Sequence, residues 1–525
     1  MLPTNQDTVE LATPPSPQPE PSLGSDSNPA AGRLLAALFV ASGVFRFLVA
    51  WLMTKFTLVD DAYIHLRYAR NLAEQGTFVY NPGEAVFGLT SPLYGLVAAC
   101  LYFVFGSHIE VAVIVFNILL WTGAGVLIAR ELPERSRLPL MALFLLAPVF
   151  VDNQMLGMET PLLVLLLAGS VRAARLGNVT TACLWFGPAL ITRPEAVLLS
   201  PFLLMLVAAE HGWGPGMKRM LKPGALVALL TPGVLWVTFA LIQYGSLIPQ
   251  SMVAKTGWGS THYDSIFTLQ NAILTVPRLS FLPFIDGFPA AIQWVLAAVL
   301  LLGVVWIVFV NLRRGTRASR TWLGFYAVYI TFFLVGKGAT EASWYAVPSS
   351  VALLCAAAPC LPKWLTNPGQ LRIQLALVLS LTGLSFVAAS QRAPLLQYYV
   401  DGYGACAEFL EARAEPGTAP NTKVAIGEIG VFGFRTTMKV VDVAALISPE
   451  TLPWRNDGLS FIRMVQLSGS KYFVLSDRAV TTNTYPAIAA VWIGDLEKAW
   501  FDEQCQHIAQ FKDKHVYEVT NSSEE

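Results

Sequence analysis

The sequence predicts an α-helical polytopic membrane protein with a small α/β domain at its C-terminal end. Of its 525 residues, 54% are hydrophobic and only 13% are charged, whereas soluble proteins carry about 25% charged residues. The mean hydropathy is +0.53. Apolar runs recur up to about residue 390. The polar segment that follows alternates helix-like stretches with β-rich runs at Lys423 to Ile429, Lys439 to Val443, Lys471 to Leu475 and His515 to Val519. These features indicate helices that cross a bilayer, followed by one mixed domain.

The N-terminal segment, residues 1–30, is rich in proline, serine and acidic residues and has almost no large apolar side chains. We expect it to be a disordered cytoplasmic tail. No signal peptide precedes the first apolar run, which is long enough to remain as an anchor. About 10 to 13 membrane segments are expected. They lie near residues 34–55, 92–106, 108–129, 138–151, 160–171, 180–191, 196–210, 225–244, 288–312, 322–336, 343–361 and 371–390.

Clusters of basic residues predict the orientation of these segments, since cytoplasmic loops carry an excess of Lys and Arg. The clusters are Arg172/Arg175, Lys218/Arg219/Lys222, Arg313/Arg314/Arg317/Arg320 and Lys363/Arg372. With them inside, the polar, tyrosine-rich loops lie outside. One region conflicts with this arrangement: if residues 92–129 formed two spans, Arg130, Arg135 and Arg137 would fall on the outer face. Either the short run 138–151 is re-entrant, or 92–129 is not two clean spans.

The stretch from Leu58 to Leu93 contains the first candidate site. As a helix starting at Asp60 and ending before Gly76, it places Asp60, Tyr63 and Arg67 on one polar face. Asp60 and Asp61 are suited to act as a general base or to bind a cation, or simply to stabilise a helix start. Arg67 and Arg70 are suited to bind an anionic group, or to pair with Glu74 and lipid phosphates.

Three further groups of charged residues lie near the ends of apolar runs. Glu159 precedes Thr160-Pro161 and either begins a helix or lines a site. Arg193 and Glu195 lie between two short apolar runs, where charges are costly unless they pair or face water. Lys255 follows a loop at the membrane edge and either binds a phosphate or snorkels to lipid.

Other classes of site lack support in the sequence. Thirty-five basic and thirty-five acidic residues cancel, so net charge gives no argument for a nucleic-acid partner. The six histidines and six cysteines show no zinc-ligand spacing, and no phosphate-binding glycine loop follows a predicted strand. Cys406 and Cys505 both lie in the polar C-terminal region, where they either pair or remain isolated thiols.

Four motifs in order carry a resemblance to a known family. They are DDAYIHLRYARNLAEQGTFVYNPGE with VFGLTSPL, then GMETPL, then TRPE, then YGSLIPQSMVAKTG. Together they resemble the bacterial GT-C-fold membrane glycosyltransferases, in particular the mycobacterial terminal β-(1→2) arabinofuranosyltransferases. The resemblance covers most of residues 34–260 and, more loosely, the segment VVDVAALISPE. Phe87 departs from the family pattern, in which an acidic residue is common before the following motif.

The resemblance implies a GT-C-like membrane core over residues 31–395, with an external loop at 57–91, and an extracytoplasmic α/β domain over 396–525. It implies transfer of a sugar, arabinofuranose or another pentose or hexose, from a polyprenyl-phosphate donor to a cell-envelope glycan or lipid acceptor. The transfer would invert the anomeric centre, and it would take place at the extracytoplasmic face of the inner (cytoplasmic) membrane. No cofactor is firmly implied, although a divalent cation is possible.

In that family an acidic residue of the first external loop is the general base, which here means Asp60 or Asp61. We favour Asp60, because it shares a helix face with Tyr63 and Arg67. The residues expected to bind substrate are Tyr63, Arg67, Arg70, Asn81, Glu84, Thr90, Glu159, Arg193, Glu195 and Lys255. The main alternative function is a transporter or flippase for a lipid-linked sugar, and another is a non-catalytic assembly protein.

Overall fold

The computed structural model describes residues 29–256, 269–283, 285–337, 343–362, 365, 370–485 and 490–520. The tail predicted to be disordered lies outside the described residues up to residue 28, and the first helix begins at Pro29. The apolar part is built almost entirely of helices. These are α1 (Pro29–Val49), α2 (Asp60–Gln75), α3 (Pro92–Phe105), α4 (Ile109–Ala129), α5 (Glu134–Leu146), α6 (Pro148–Met155), α7 (Thr160–Arg175), α8 (Val179–Thr192), α9 (Ser200–His211), α10 (Trp213–Met220), α11 (Pro223–Tyr244), α12 (Gln250–Thr256), α13 (Leu269–Arg278), α14 (Ala290–Arg314), α15 (Arg317–Phe332), α16 (Ala346–Ala356) and α17 (Leu371–Tyr399).

The helix lengths confirm a multi-pass membrane protein. Within the described residues, seven helical segments are long and apolar enough to cross a membrane, and the bent pair α5–α6 would make an eighth. The shorter apolar helices α8 and Ser343–Ala356 and the buried helix α7 run between the same two ends of the bundle. They have fewer than the roughly 20 residues of a standard span, as expected from the short apolar runs in the sequence.

Helices α3 and α4 form a hairpin, which resolves the topological conflict in residues 92–137. Gly106, with φ +52° and ψ −120°, ends α3. The Tyr94 hydroxyl near the start of α3 then lies 3.4 Å from Asn117 Oδ1 in the middle of α4. Helix α3 therefore folds back along the first half of α4, and only α4 traverses the bundle. Of the two alternatives open from the sequence, residues 92–129 are not two clean spans.

Helices α5 and α6 act as one traverse bent by 45°. The Asp152 carboxylate on α6 accepts hydrogen bonds from Arg392 of α17 at 3.0 and 3.2 Å, and Arg46 of α1 donates to Gln154. Charged side chains inside a membrane bundle are costly unless they are paired in this way. These contacts hold α6 between the first and last long helices and so fix where the following loop emerges.

Basic residues of the predicted clusters lie at one end of the bundle, whereas Lys363 of the last cluster lies outside the described residues. Glu131, just after α4, forms ion pairs with Arg172 and Arg175 at the end of α7. The Arg317 guanidinium at the start of α15 lies 2.8 Å from Glu210 of α9. This end of the bundle is hereafter the basic end. The C-terminal domain follows the opposite end of α17.

The C-terminal domain contains a five-stranded sheet with the order β2-β1-β3-β5-β4. Strands β1, β2 and β3 are parallel to one another, whereas β5 pairs antiparallel with both β3 and β4. The strands are β1 (Lys423–Ile426), β2 (Lys439–Asp442), β3 (Tyr472–Ser476), β4 (Cys505–Phe511) and β5 (Lys514–Val519). The helices are α18 (Ala405–Arg413), α19 (Gly430–Arg435), α20 (Thr451–Asn456), α21 (Phe461–Ser468), α22 (Asp477–Thr482) and α23 (Gly494–Gln504).

The sheet confirms the predicted small α/β domain, including the β-rich runs at β1, β2, β3 and β5. Its core packs apolar residues of the central strands against the flanking helices, for example Val441 and Phe473 against Phe461. Cys406 and Cys505 are both free thiols, so of the two alternatives left open for them the structure has isolated cysteines.

Candidate active site

Helix α2 has the predicted bounds, but its polar face is not open to a substrate. Its N-cap residue is Val59, which has no side chain able to cap. The Asp60 carboxylate is turned toward another helix and accepts hydrogen bonds from the Gly430 and Val431 amides, each at 2.8 Å. These are the first two residues of α19, so Asp60 provides the anion that a helix N-terminus favours.

Arg67 and Arg70 also bind the C-terminal domain. The buried Arg67 guanidinium donates to the Gly433, Thr436 and Met438 carbonyl oxygens. Arg70 donates to the Phe434 and Thr436 carbonyl oxygens at 2.6 and 2.8 Å. Five backbone contacts from two arginines leave little capacity for an anionic ligand. Their contacts assign both side chains to the interface between α2 and the C-terminal domain, not to substrate.

Tyr63, Asn81 and Glu84 belong to the same interface. The Tyr63 ring packs against Phe434 with centroids 5.5 Å apart. Asn81 donates to the Val440 carbonyl at 2.8 Å and accepts from the Val440 amide at 3.1 Å, and thus pairs with the edge strand β2 as a backbone would. Glu84 forms an ion pair with Lys439. In the structure these three residues contact the C-terminal domain.

A cavity next to this interface is lined by several of the other residues that the sequence predicts for the site. It is open to solvent and spans about 510 Å³ of space, part of which is open solvent. Its polar lining comes from α2, the loop before α3, the α6–α7 loop, the end of α8, and α12. The predicted residues that line it are Asp61, Thr90, Glu159, Arg193 and Lys255. Four separate sequence motifs therefore contribute to one site.

Asp61 presents its carboxylate to this cavity. The next residue after Asp60 on a helix points about 100° away, so the two carboxylates face different surroundings. The side-chain oxygens of Asp61 have no hydrogen-bond partner among the described residues, whereas both oxygens of Asp60 are occupied. Helix phase favoured Asp60, whereas in the structure Asp61 is the carboxylate that faces the cavity.

Glu159 and Arg193 form a buried ion pair at the floor of the cavity. Arg193 Nη1 donates to Glu159 Oε1 at 2.6 Å, and its Nε lies 3.5 Å from Glu195 Oε2. The guanidinium also lies over the Tyr345 ring at 4.5 Å. Glu159 Oε2 has no hydrogen-bond partner among the described residues, although the side chain is only 1% exposed. Glu195 is thus a partner of Arg193, while Glu159 keeps one free acceptor for a ligand.

Lys255 supplies the free cation of the cavity. No ion pair to its ammonium group is present within the part of the chain that the structure describes. Its helix, α12, is fixed at both ends: Gln250 donates to the Ala445 carbonyl at 3.1 Å, and Arg455 donates to the Ala254 carbonyl at 2.7 Å. The C-terminal domain therefore positions Lys255.

The roof of the cavity also comes from the C-terminal domain. Leu446 and Ile447, in the loop after β2, line it opposite α2. Asp442 shapes this loop by accepting the Ala444 and Leu446 amides at 2.8 and 2.6 Å. A side chain at Gly88 would meet Ile447 Cγ2 at 2.7 Å, so glycine there permits the close approach. The segment VVDVAALISPE thereby closes over the motif VFGLTSPL.

Burial controls the charge of the acidic groups around the site. It raises the pKa of Asp60 to about 6, against the opposing effect of the two amide hydrogen bonds. Burial and then the nearby charges of Asp60 and Asp61 raise the pKa of Glu428 to about 8. Burial likewise raises the pKa of Asp442 to about 7. Glu428 therefore carries a proton at neutral pH, which limits the repulsion around Asp60 and Asp61.

The divalent cation left possible by the sequence has no evident protein site. Among the described residues, no group of three or more His, Cys, Asp or Glu side chains is arranged to hold a metal ion. Asp61 and Glu159 are the acidic residues that line the cavity. The arrangement can instead take a proton at Asp61 and place the Lys255 ammonium near an anion.

Two cavity residues, His65 and Ser251, were not singled out from the sequence. His65 follows Asp61 by four residues, and Ser251 precedes Lys255 by four. On a helix this spacing places both members of a pair on one face. The i,i+4 spacing to a predicted site residue is the signal that could have identified them. The roof residues Leu446 and Ile447 carry no comparable signal.

Comparison with known proteins supports the fold. No family model matches the sequence, and no curated protein is significantly similar to it. Two similar solved structures are ArnT from Cupriavidus metallidurans bound to undecaprenyl phosphate and the same protein in the apo state. The first has a TM-score of 0.58 and 14% identity, over 94% of this chain and 99% of that chain. The second has a TM-score of 0.58 and 13% identity over the same shares. The chain therefore has the GT-C fold of these membrane proteins.

Proposed function

We propose that this protein is a glycosyltransferase that moves a sugar from a polyprenyl-phosphate donor to a cell-envelope glycan or lipid acceptor. The observation that carries the proposal is one cavity with an unpaired carboxylate at Asp61 and an unpaired ammonium at Lys255 among the described residues. A base and a cation are the two groups that this displacement needs. The fold shared with ArnT, which was crystallised with undecaprenyl phosphate, supports the choice of donor.

The reaction that fits these groups is a single inverting displacement. Asp61 accepts the proton of the acceptor hydroxyl as its oxygen attacks the anomeric carbon. The bond from that carbon to the phosphate oxygen breaks, and the polyprenyl phosphate leaves with the electron pair. Lys255 stabilises the charge that develops on the phosphate. A phosphate leaves without being protonated, so the site requires one base and no general acid.

The other charged residues support this chemistry from a fixed frame. Arg193 is neutralised by Glu159 and Glu195, so it adds little net charge at the phosphate. Its ion pair instead fixes the free oxygen of Glu159 in the cavity. Thr90 supplies a hydroxyl at the rim. The transferred sugar is arabinofuranose or another pentose or hexose, as the sequence motifs imply.

The location of the site follows from the two ends of the bundle. The basic end is cytoplasmic by the positive-inside rule. The cavity and the C-terminal domain lie at the other end, which supports catalysis at the extracytoplasmic face of the inner membrane. We expect the polyprenyl-phosphate sugar to be presented in the outer leaflet.

A transfer assay with matched variants tests the proposal. Membranes that contain the protein are supplied with polyprenyl-phosphate arabinofuranose and a synthetic arabinan acceptor, and glycoside formation is measured. Asp61→Asn should lower kcat by about 10²- to 10⁴-fold, the usual contribution of a general base. Lys255→Met should also lower turnover. Asp60→Asn is the control on the same helix, and it should retain turnover in the fraction that folds.

The outcomes separate the competing readings. If Asp60→Asn abolishes transfer in well-folded protein while Asp61→Asn retains it, the assignment of the base is wrong. If the wild type moves the lipid-linked sugar across the membrane and forms no glycoside, the protein is a transporter or flippase. If both Asp60→Asn and Asp61→Asn retain full transfer, neither carboxylate of the first external loop is the general base.

A further inference from the structure

Three buried polar atoms of the cavity have no hydrogen-bond partner among the described residues. They are His65 Nε2, Glu159 Oε2 and Ser251 Oγ, and the three side chains are 5%, 1% and 6% exposed. All three residues line the same cavity. Leaving a buried polar group unsatisfied costs about 1–3 kcal/mol. Several such atoms around one space indicate a ligand that supplies the missing hydrogen bonds.

The hydrogen-bonding state of His65 follows from its other ring nitrogen. Nδ1 lies 3.2 Å from the Asp61 carbonyl oxygen, which can only accept a hydrogen bond, so Nδ1 carries the proton. In the neutral ring Nε2 is then an acceptor. The ring also packs edge-on against Tyr94 at 5.7 Å between centroids, which restricts its rotation. His65 therefore presents a fixed acceptor one helical turn beyond Asp61.

Ser251 presents its hydroxyl from the facing element. It lies at the start of α12, next to Gln250, whose amide donates to the Phe87 carbonyl at 2.6 Å. The same helix carries Lys255 one turn later. A ligand that fills this space meets two acceptors, His65 Nε2 and Glu159 Oε2, together with a hydroxyl and an ammonium group. It must offer hydrogen-bond donors at one end and negative charge at the other, as a glycosyl phosphate does.

We propose that His65 and Ser251 form a hydroxyl-recognition pair that orients a sugar ring at Asp61. This proposal rests on the proposed glycosyl transfer. It concerns which part of the ligand His65 and Ser251 bind, and not whether transfer occurs. His65 accepts a hydrogen bond from one sugar hydroxyl, and Ser251 exchanges one with a neighbouring hydroxyl. The site then discriminates against sugars that lack a hydroxyl at that position, because the buried acceptor would remain unpaired.

The test compares two amides that replace different parts of the imidazole. Asn at position 65 retains a donor near the place of Nδ1 but has no atom at Nε2, whereas Gln reaches the place of Nε2 with an acceptor oxygen. Binding is measured with purified full-length protein in detergent, using polyprenyl-phosphate arabinofuranose and bare polyprenyl phosphate as probes. The measured quantity is the affinity for polyprenyl-phosphate arabinofuranose divided by the affinity for bare polyprenyl phosphate. This ratio reports the contribution of the sugar to binding.

For His65→Asn we expect that ratio to fall about 5- to 10-fold, as for one lost neutral hydrogen bond, with affinity for the bare lipid unchanged. His65→Gln should keep most of the ratio. Ser251→Ala should also lower it, and Ser251→Thr should not. Equal ratios in the wild type, His65→Asn and Ser251→Ala, with arabinan binding also unchanged, would overturn the proposal, as would a loss of bare-lipid binding of the same size.

A second titration distinguishes the donor sugar from the acceptor sugar. A synthetic arabinan oligosaccharide is titrated against the same variants. Weaker arabinan binding in His65→Asn with an unchanged lipid ratio would assign the recognised hydroxyl to the acceptor and would support the pair. These measurements need no turnover. If the wild type transfers no sugar, but His65→Asn and Ser251→Ala lose the sugar-specific part of binding as expected, the proposed function fails and the recognition pair remains.

Discussion

Three carboxylates meet where α2 enters the C-terminal domain, and each has a different environment. Asp60 is held by two amides of α19, Asp61 faces the cavity, and Glu428 is buried within reach of the charges of both. Adjacent acidic residues with different surroundings are suited to different tasks, since surroundings and not residue type decide the charge state. Asp60 binds the C-terminal domain, whereas the proposed role of Asp61 is in the chemistry.

Glu428 gives a prediction about pH. Its pKa of about 8 in the folded protein lies well above the ordinary value for glutamate of about 4.3. A raised pKa means that the folded state binds the proton more tightly. The stabilising contribution is therefore complete at low pH and is lost as the pH rises through about 8. We expect this contribution to lower the apparent Tm of the purified protein between about pH 5 and pH 8 and to level off above that.

Replacement of this carboxyl group tests the prediction. Glu428→Gln should reduce the fall in apparent Tm between about pH 5 and pH 8 and raise the apparent Tm at pH 9, measured at one heating rate. Glu503→Gln, at an exposed position of the same domain, serves as the control and should keep the wild-type slope. An unchanged slope in Glu428→Gln would contradict the proposed origin of the pH dependence.

At the scale of elements, α2 shows that sequence periodicity can predict the bounds of a helix but not the element against which the helix packs. The pattern predicted a helix from Asp60 to the residue before Gly76, and the structure has it there. Periodicity also identified a polar face correctly. It could not reveal that this face packs on residues 430–440, since nothing local encodes a partner some 370 positions away. Buried arginines such as Arg67 therefore looked like ligand-binding residues.

The missed strand β4 has a comparable explanation. Residues 505–511 form an edge strand whose register shifts between His507 and Ala509. The strand is only partly buried and shows no regular alternation of buried and exposed positions. Sequence patterns detect half-buried strands through that alternation. The central strands β1 and β3 are continuous apolar runs and were predicted.

The junction between α2 and α19 gives a prediction at this scale. A Cβ at Gly430 would overlap the Asp60 carbonyl oxygen and approach the Asp60 side chain to 2.7 Å. Because the obstruction is backbone, α19 must move away. Gly430→Ala should therefore weaken docking of the C-terminal domain, lower the apparent Tm and make the domain more sensitive to limited proteolysis.

Gly383→Ala in α17 is the matched control. A Cβ there has no atom within 4 Å, and alanine favours a helix more than glycine does. This variant should retain wild-type stability and protease resistance. If Gly430→Ala behaved in the same way, the close packing of α19 on Asp60 would not hold the two parts of the protein together.

At the scale of the whole molecule, the sequence predicted the class of fold and most of the cavity but not the path of residues 92–155. Asp61, Thr90, Glu159, Arg193 and Lys255 meet as their motifs suggested. The path was ambiguous because α3 is apolar without spanning, and because α5 and α6 are each too short to span. Hydropathy reports that a segment avoids water, and it does not distinguish contact with lipid from burial against other helices.

The α3–α4 hairpin gives the last prediction, on membrane topology. If α3 and α4 were separate spans, their connection at Ser107 would lie on the opposite side from the C-terminal domain. In the structure it lies on the same side, since Glu110, one turn into α4, pairs with Arg435 of α19 at 3.2 Å. Arg135, after α4, lies at the basic end. Both positions are exposed, so each accepts a cysteine probe.

Single cysteines at these positions, in a background without the six native ones, are treated in intact cells with a membrane-impermeant maleimide. Ser107→Cys should be labelled from outside, together with Leu496→Cys on the C-terminal domain, where the leucine is 88% exposed. Arg135→Cys should be labelled only after the membrane is opened. Labelling of Leu496→Cys but not Ser107→Cys in intact cells would restore the two-span reading of 92–129. Labelling of Arg135→Cys alone would invert the whole molecule and place the cavity in the cytoplasm, where the outer-leaflet donor proposed above could not reach Asp61.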